Sequence, residues 1–215
     1  AGRAIQRMSE PIRHGGPDDS GIWGDPAAGI ALGFRRLAIL DLSALGHQPM
    51  NSESGRFTMI FNGEIYNFVH LRSELERDGT RFRSHSDTEV ILAAFERWGI
   101  DAAVPRLLGM FAIAVWDHQT RRLSLIRDQL GIKPMFVYAK DGLVSFGSEL
   151  KALRAGPAFD TPIDVEGLGG FLRSLYVPAP RTNHPPAAHL PPAHRPPLRA
   201  PPPPPPPPPP ALPPP

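Results

Sequence analysis

The sequence predicts an α+β fold, on three observations. Residues 56–61 alternate apolar and other side chains with a period of two; residues 67–79 and 86–99 carry apolar side chains at helical spacing; residues 110–147 hold two pairs of apolar runs, each pair joined by a polar turn. Strands that come in groups, with helices between and after them, argue for α+β rather than a parallel βαβ array.

In the first strand Phe57, Met59 and Phe61 share one face. Asn62-Gly63-Glu64 is expected to break that strand and leave a short turn at the edge of a packed layer. Phe68, Leu71 and Leu75 then recur at three and four, with Asn67 as the candidate N-cap and Asp78-Gly79 as the stop. In the next helix Ser86 and Glu89 have capping-box spacing, Ile91, Ala94, Phe95 and Trp98 form the apolar stripe, and Gly99 suits the C-terminal cap. Asp87 therefore falls in a first helical turn. Residues 110–116 and 123–126 flank a polar turn over 117–122, and residues 135–139 and 143–146 flank Asp141-Gly142, so two hairpins are expected. Residues 148–153 start a short helix.

Composition divides the chain. Tyr176 is the last aromatic residue and Glu166 the last acidic one, whereas 21 of the 29 prolines lie from Pro178 onward. Residues 1–177 are the expected folded body. Residues 178–215, with ten consecutive prolines at 201–210, are expected to be a disordered tail in solvated polyproline II. The body carries 20 Lys and Arg against 21 acidic residues, a net −1, so the basic balance belongs to the tail. No basic face interleaved with aromatics is present, and no nucleic-acid partner is expected. The longest strongly apolar stretch, 110–116, is too short to span a bilayer, and residues 1–20 are polar rather than signal-like, so no membrane association and a cytoplasmic location are expected. Cysteine is absent, which excludes disulfides, thiolate metal sites and a cysteine nucleophile within these 215 residues. The eight histidines show no metal-ligand spacing with carboxylates, and no metal is expected.

Several motifs follow one another in a fixed order. His14-Gly15-Gly16-Pro17-Asp18-Asp19-Ser20-Gly21, Arg36-Leu37-Ala38-Ile39-Leu40-Asp41, His47-Gln48-Pro49-Met50 and Phe61-Asn62-Gly63-Glu64-Ile65-Tyr66-Asn67 come first. Ser86-Asp87-Thr88-Glu89, Gly109-Met110-Phe111-Ala112, Arg127-Asp128 with Gly131-Ile132-Lys133-Pro134, and Ser148-Glu149-Leu150-Lys151 complete the series. Together they resemble the class II glutamine amidotransferases, and within them the asparagine synthetase branch; seven or more matches in order over residues 14–153 argue against coincidence. The resemblance implies a four-layer αββα sandwich of the Ntn-hydrolase type, with a type-2 amidotransferase domain over residues 1–177.

It also implies a chemistry. In this family the thiol of a cysteine at residue one, activated by its own α-amino group, attacks the carboxamide of glutamine. Tetrahedral oxyanions form in each step and need fixed donors; the resemblance assigns that task to the Asn62 side-chain amide and the Gly63 N–H. It places Arg36 on the α-carboxylate and Asp87 on the α-ammonium of L-glutamine, with Glu64 and the backbone at Ile39 and Leu40 lining the pocket. An arginine fork suits a carboxylate, and an anion is favoured in a helix's first turn. Without the resemblance, Asn62-Gly63 reads as a turn, Asp87 as a helix-start charge and Arg36 as a surface arginine. Arg127-Asp128 and Glu149-Lys151 read as structural ion pairs at the sheet ends.

The chain departs from that family in four places. It has no cysteine; it begins close to His14, where the family carries a Met-Cys-Gly strand upstream; Gly15 stands where the family has arginine; and a proline-rich segment stands where an ATP-binding domain with a Ser-Gly-Gly-x-Asp-Ser loop follows. One truncation explains the first two, and loss of that strand leaves a sheet neighbour unpaired. Residues 176–182 still resemble the connector to the second domain. The expected function is the glutaminase, ammonia-donating domain of a glutamine-hydrolysing asparagine synthase, inactive as it stands. ATP and Mg belong to the absent synthetase domain that amidates aspartate, no cofactor is expected in this chain, and the full-length family is expected to form homodimers. Two alternatives stand beside this: an amidotransferase for a sugar, peptide or antibiotic-precursor acceptor, and a non-catalytic glutamine-binding scaffold whose proline tail docks an SH3- or WW-like partner.

Overall fold

Nine-residue strands whose two faces both carry apolar side chains demand cover on each side, and this sets the architecture. The structure, a computed structural model, describes residues 2–157, 159–160, 162–177, 180–193 and 197–199. In chain order the elements are α1 (Gly2–Ser9), β1 (Asp19–Asp25), β2 (Ile30–Arg36), β3 (Met50–Asn51), β4 (Phe57–Ile65), α2 (Phe68–Arg77), α3 (Asp87–Trp98), α4 (Ile100–Ala103), β5 (Gly109–Asp117), β6 (Arg122–Arg127), β7 (Phe136–Lys140), β8 (Leu143–Gly147), α5 (Leu150–Arg154), α6 (Val165–Ser174), β9 (Ala187–His189) and β10 (Pro197–Arg199). An antiparallel five-stranded sheet has the order β10-β6-β5-β4-β3, while a β1-β2 hairpin and a three-stranded β8-β7-β9 sheet make up a second layer.

Three cores separate four layers. On β5, Phe111, Ile113 and Val115 point one way and pack with Leu71 and Leu75 of α2 and Ile91 and Phe95 of α3. Ala112, Ala114 and Trp116 point the other way and meet Leu32 of β2, Val137 of β7 and Phe146 of β8. Behind that second layer, Tyr138 and Ala187 pack against Ile5 and Met8 of α1 and Leu150 and Leu153 of α5. The result is the αββα sandwich, with period-two strands feeding a different core from each face.

Several local expectations give way to longer-range partners. β4 does not stop at Asn62: it runs to Ile65, because β5 supplies partners for Asn62, Gly63 and Glu64 opposite Ala112, Phe111 and Met110. Asn67 does not cap α2; its side chain bridges Arg106 O at 2.9 Å and Leu108 N at 3.0 Å instead. Ser86 caps α3 by accepting from Thr88 N, but Glu89 turns to the N–H groups of Arg83 and Ser84, so the box is not reciprocal. Arg127 and Asp128 do not pair with each other. The Arg127 guanidinium donates to the carbonyls of Lys133, Gly131 and Leu190, and the Asp128 carboxylate accepts from the N–H groups of Phe111, Leu130, Ile132 and Lys133. Glu149 and Lys151 do form an ion pair, at 3.0 Å.

The folded body continues past residue 177. Residues 180–193 are ordered into it: β9 pairs with β7, and Thr182, Ala187 and Leu190 are buried. The expectation of solvated polyproline II is therefore wrong for this stretch, where three buried side chains and the Arg127–Leu190 bond outweigh the local prolines. For 178–179, 194–196 and 200–215 it lies outside the described residues.

Candidate functional site

A cavity of about 610 Å³ opens where β2, β4 and the start of α3 converge, and Arg36, Ile39, Leu40, Asn62, Gly63, Glu64 and Asp87 all line it. Its geometry follows from an uncovered strand edge. β3 pairs with β4 only at Met59 and Thr58, so the β4 edge beyond needs other partners. The Gln48 side chain supplies the first of them. Its Oε1 accepts from Phe61 N at 2.6 Å, and its Nε2 donates to Phe61 O at 3.2 Å and to Thr88 Oγ1 at 3.4 Å, so a buried amide replaces a strand residue. Four residues on, Asp87 Oδ2 accepts from Ile65 N at 3.1 Å.

Backbone N–H groups alternate sides along a strand, so the Gly63 N–H lies on the same edge as those of Phe61 and Ile65, between the Gln48 amide and the Asp87 carboxylate. The opposite strand agrees: Phe111, across from Gly63, exchanges its N–H and C=O with Asp128 on the far side. Gly63 therefore turns its donor to the cavity. A Cβ at Gly63 would come within 2.1 Å of Met110 O, so the close approach of β5 demands a glycine there.

Asp87 is 5% exposed at the start of α3, and its carboxyl is pushed up to about 6. Burial is the main cause, the negative charge of Glu64 adds to it, and N–H bonds from Ile65 and Thr88 pull the other way. Its hydrogen-bond partners are N–H groups rather than a cation, which leaves an anion prepared for an incoming ammonium. Arg36, at the end of β2, is folded into its own following loop. Nη1 donates to Ser43 O at 3.1 Å, Nη2 donates to Asp41 O, and Gly46 packs so closely that a Cβ there would strike the guanidinium.

Asp41 holds that loop to α3. Its carboxylate accepts from Ser43 N, Ser43 Oγ and, at 3.0 Å, His85 N, and these bonds, Ser43 Oγ first, keep it below the usual carboxylate range. Arg36 and Asp87 thereby share one rigid frame, while Ile39 (71% exposed) and Leu40 (41% exposed) form its rim. Gly15 and Glu149 line the cavity as well; Glu149 meets His14 Nε2 at 3.3 Å, and a Cβ on Gly15 would meet nothing within 4 Å. Gln48, Asp41 and Ser43 carry no role in the sequence reading. No local sequence signal marks Gln48; its role appears only once a two-residue β3 is seen to leave a nine-residue β4 uncovered.

Comparisons with known proteins show what the chain is similar to. A model of the glutamine amidotransferase domain matches residues 1–200. A putative glutamine-hydrolysing asparagine synthetase of Mycobacterium tuberculosis is 42% identical over 195 residues, covering 86% of this chain and 30% of that protein. Glutamine-hydrolysing asparagine synthetase 1 of Bacillus subtilis is 41% identical over 178 residues, covering 83% and 27%. The chain thus spans about a third or less of the length of these relatives. Among solved structures, glutamine phosphoribosylpyrophosphate amidotransferase from B. subtilis superposes with a TM-score of 0.52 at 24% identity, over 58% of this chain and 29% of that one.

Proposed function

Because the chain belongs to the glutamine amidotransferase domain family, we propose that it holds L-glutamine in this cavity and serves as the ammonia-donating part of an asparagine synthetase-type enzyme. The observation that carries the reading is the arrangement around Gly63. An inward N–H on a strand edge, between the Gln48 amide and a buried carboxylate whose bonds among the described residues are to N–H groups, opens on the same cavity as the Arg36 guanidinium.

The residues take separate tasks. Arg36 donates its remaining N–H groups to the α-carboxylate, and Asp87 accepts from the α-ammonium. That orientation brings the carboxamide carbonyl to Gly63 N–H and the Asn62 amide, which stabilise the oxyanion of each tetrahedral intermediate. Attack needs a thiol, and the 215 residues contain no cysteine, so the thiol comes from outside them. Its sulfur bonds to the carboxamide carbon, and the C–N bond breaks. Ammonia leaves with the thiol proton, and water cleaves the thioester to glutamate and free thiol. Use of the ammonia, with ATP and Mg to amidate aspartate, belongs in this proposal to the synthetase portion of the longer relatives. Among the described residues no three His, Asp or Glu side chains converge as metal ligands, and no step is assigned to a metal here.

Calorimetry tests the binding half directly. L-Glutamine is expected to bind, whereas glutaramic acid, which lacks the ammonium, and 4-aminobutanamide, which lacks the carboxylate, each bind about tenfold or more weakly, the scale of a lost charged hydrogen bond. Equal binding of all three, or none by glutamine to the folded chain, would falsify the site.

A further inference from the structure

The side chain of Gln48 is 5% exposed and has both of its ends occupied. Oε1 accepts from Phe61 N at 2.6 Å, one Nε2 proton goes to Phe61 O at 3.2 Å, and the other goes to Thr88 Oγ1 at 3.4 Å. Turning the amide over would set its NH2 against the Phe61 N–H and its oxygen against the Phe61 carbonyl, so one orientation fits. The backbone is held as well. A Cβ on Gly21 of β1 would come within 2.0 Å of Gln48 O, and two residues earlier a Cβ on Gly46 would come within 2.0 Å of Arg36 Nη2. The segment 46–48 therefore touches Arg36 at one end and, through the Gln48 amide, β4 and α3 at the other.

The consequence for β4 lies in what this amide leaves alone. Donors on the open edge recur at every second residue, Phe61, Gly63 and Ile65, about 7 Å apart. A continuous neighbouring strand would claim all three. A side-chain amide claims the two groups of one residue and stops. Gln48 takes Phe61, the Asp87 carboxylate takes Ile65, and the Gly63 N–H between them stays turned to the cavity. The Gln48–Thr88 bond joins the two clamps, because Thr88 follows Asp87 in the first turn of α3.

We infer that Gln48 is the positioning residue for the Gly63 donor, holding β4 extended at Phe61 while leaving Gly63 N–H free for the oxyanion. The role rests on the glutamine-site reading. Both Nε2 protons are engaged within the protein, so Gln48 acts through Phe61 and Gly63 and not by donating to the ligand. Arg36 and Asp87 hold the α groups of glutamine, and the Gly63 N–H matters most once the carboxamide carbon is tetrahedral and its oxygen charged. Loss of the Gln48 amide is therefore expected to weaken recognition of a tetrahedral anion more than recognition of glutamine.

The test compares two ligands on the whole chain by calorimetry. L-2-Amino-4-phosphonobutanoate has the two α groups of glutamine and a tetrahedral anion in place of the carboxamide, so its affinity relative to that of glutamine reads the oxyanion donors. Gln48→Met keeps the length of the side chain and removes its hydrogen bonds. Glutamine affinity is expected to change less than about threefold, and the phosphonate-to-glutamine ratio to fall about tenfold, the scale of one lost bond to a charged group. A parent that binds both ligands, with the same ratio in the folded variant, overturns the role of Gln48 and leaves the glutamine site standing. A parent that binds neither overturns the glutamine site and this role with it. Amide hydrogen exchange in the parent is a second measurement that needs no substitution. Phe61 and Ile65 are expected to be protected at least about tenfold more than Gly63. Equal protection at all three amides overturns the inference even where Gln48→Met fails to fold.

Discussion

The carboxylate of Asp87 accepts the Ile65 N–H at 3.1 Å, so the first residue of α3 completes the open edge of β4. One bond thereby fixes the helix to the strand that carries Gly63, and it sets the chemistry of the carboxyl itself. Burial raises it to about 6 although three N–H groups, those of Ile65, Thr88 and Asp87 itself, favour its ionised form.

A pH dependence follows, with a definite sign. The Asp87 pKa is higher folded than in the unfolded chain, where it lies near the ordinary 3.8, so the stability linked to this group is full below about 4 and falls as pH rises through about 6. Ammonium binding has the opposite demand and needs the ionised form. Glutamine affinity is expected to be about tenfold weaker at pH 5 than at pH 7, with one proton released on binding, measured by calorimetry in two buffers of different ionisation enthalpy. Asp87→Asn keeps an acceptor for Ile65 N–H and is expected to abolish both the affinity and its pH dependence while leaving the fold intact at pH 7. A variant that binds glutamine as the parent does would remove Asp87 from the site.

Arg36→Lys is a sharper probe than its charge conservation suggests. The guanidinium already spends donors on Ser43 O and Asp41 O. An ammonium cannot hold both carbonyls and present a fork to a carboxylate. Affinity for glutamine is expected to fall by about 1.5–3 kcal/mol. 4-Aminobutanamide, without the carboxylate, should lose little, and a uniform loss across both ligands would mean that Arg36 only braces the loop.

How much of this was legible in the sequence depends on how local each cause is. The period-two run at Phe57, Met59 and Phe61 and the stripe of Ile91, Ala94 and Phe95 identify their elements because burial acts on one element at a time. The Asn62-Gly63 turn signal fails because β5 lies 50 residues along the chain and supplies the partners that keep β4 extended. Gln48 fails for the same reason, since an amide standing in for a strand has no local mark. Proline counting hides Thr182, Ala187 and Leu190, whose burial draws residues 180–193 into the body. Arg36 and Asp87 are brought to one cavity by the loop that Asp41 ties to His85, a relation that motif order implies and spacing alone does not.

Asp128 anchors the turn that follows β6, and its loss should be costly. Burial would raise its carboxyl, but N–H bonds from Lys133, Ile132, Phe111 and Leu130 outweigh that and hold it below the usual carboxylate range. A depressed carboxylate contributes stability that is present above the unfolded pKa and is lost as pH falls through the folded one. Asp128→Ala strands the buried Phe111 N–H and three part-buried ones and is expected to cost about 2–4 kcal/mol, read from urea midpoints at pH 7. The deficit relative to the parent should shrink as the pH falls below the ordinary carboxylate range.

Gly63→Ala separates sheet packing from the donor it carries. The added methyl would sit 2.1 Å from Met110 O and 2.7 Å from Phe111 Cα, both backbone, so neither neighbour can rotate away. β4 and β5 must part locally, at an expected cost of about 1–3 kcal/mol, the usual range for overpacking a filled site. The parting also swings the Gly63 N–H away from the point between the Gln48 amide and Asp87. Substrate affinity, set by Arg36 and Asp87, should change less than twofold, whereas ammonia release with a supplied thiol should drop by about 100-fold, the scale of one lost oxyanion donor. Equal losses in binding and release would mean that the strand displacement has dismantled the cavity, and the separate role of the Gly63 N–H would then have to be abandoned.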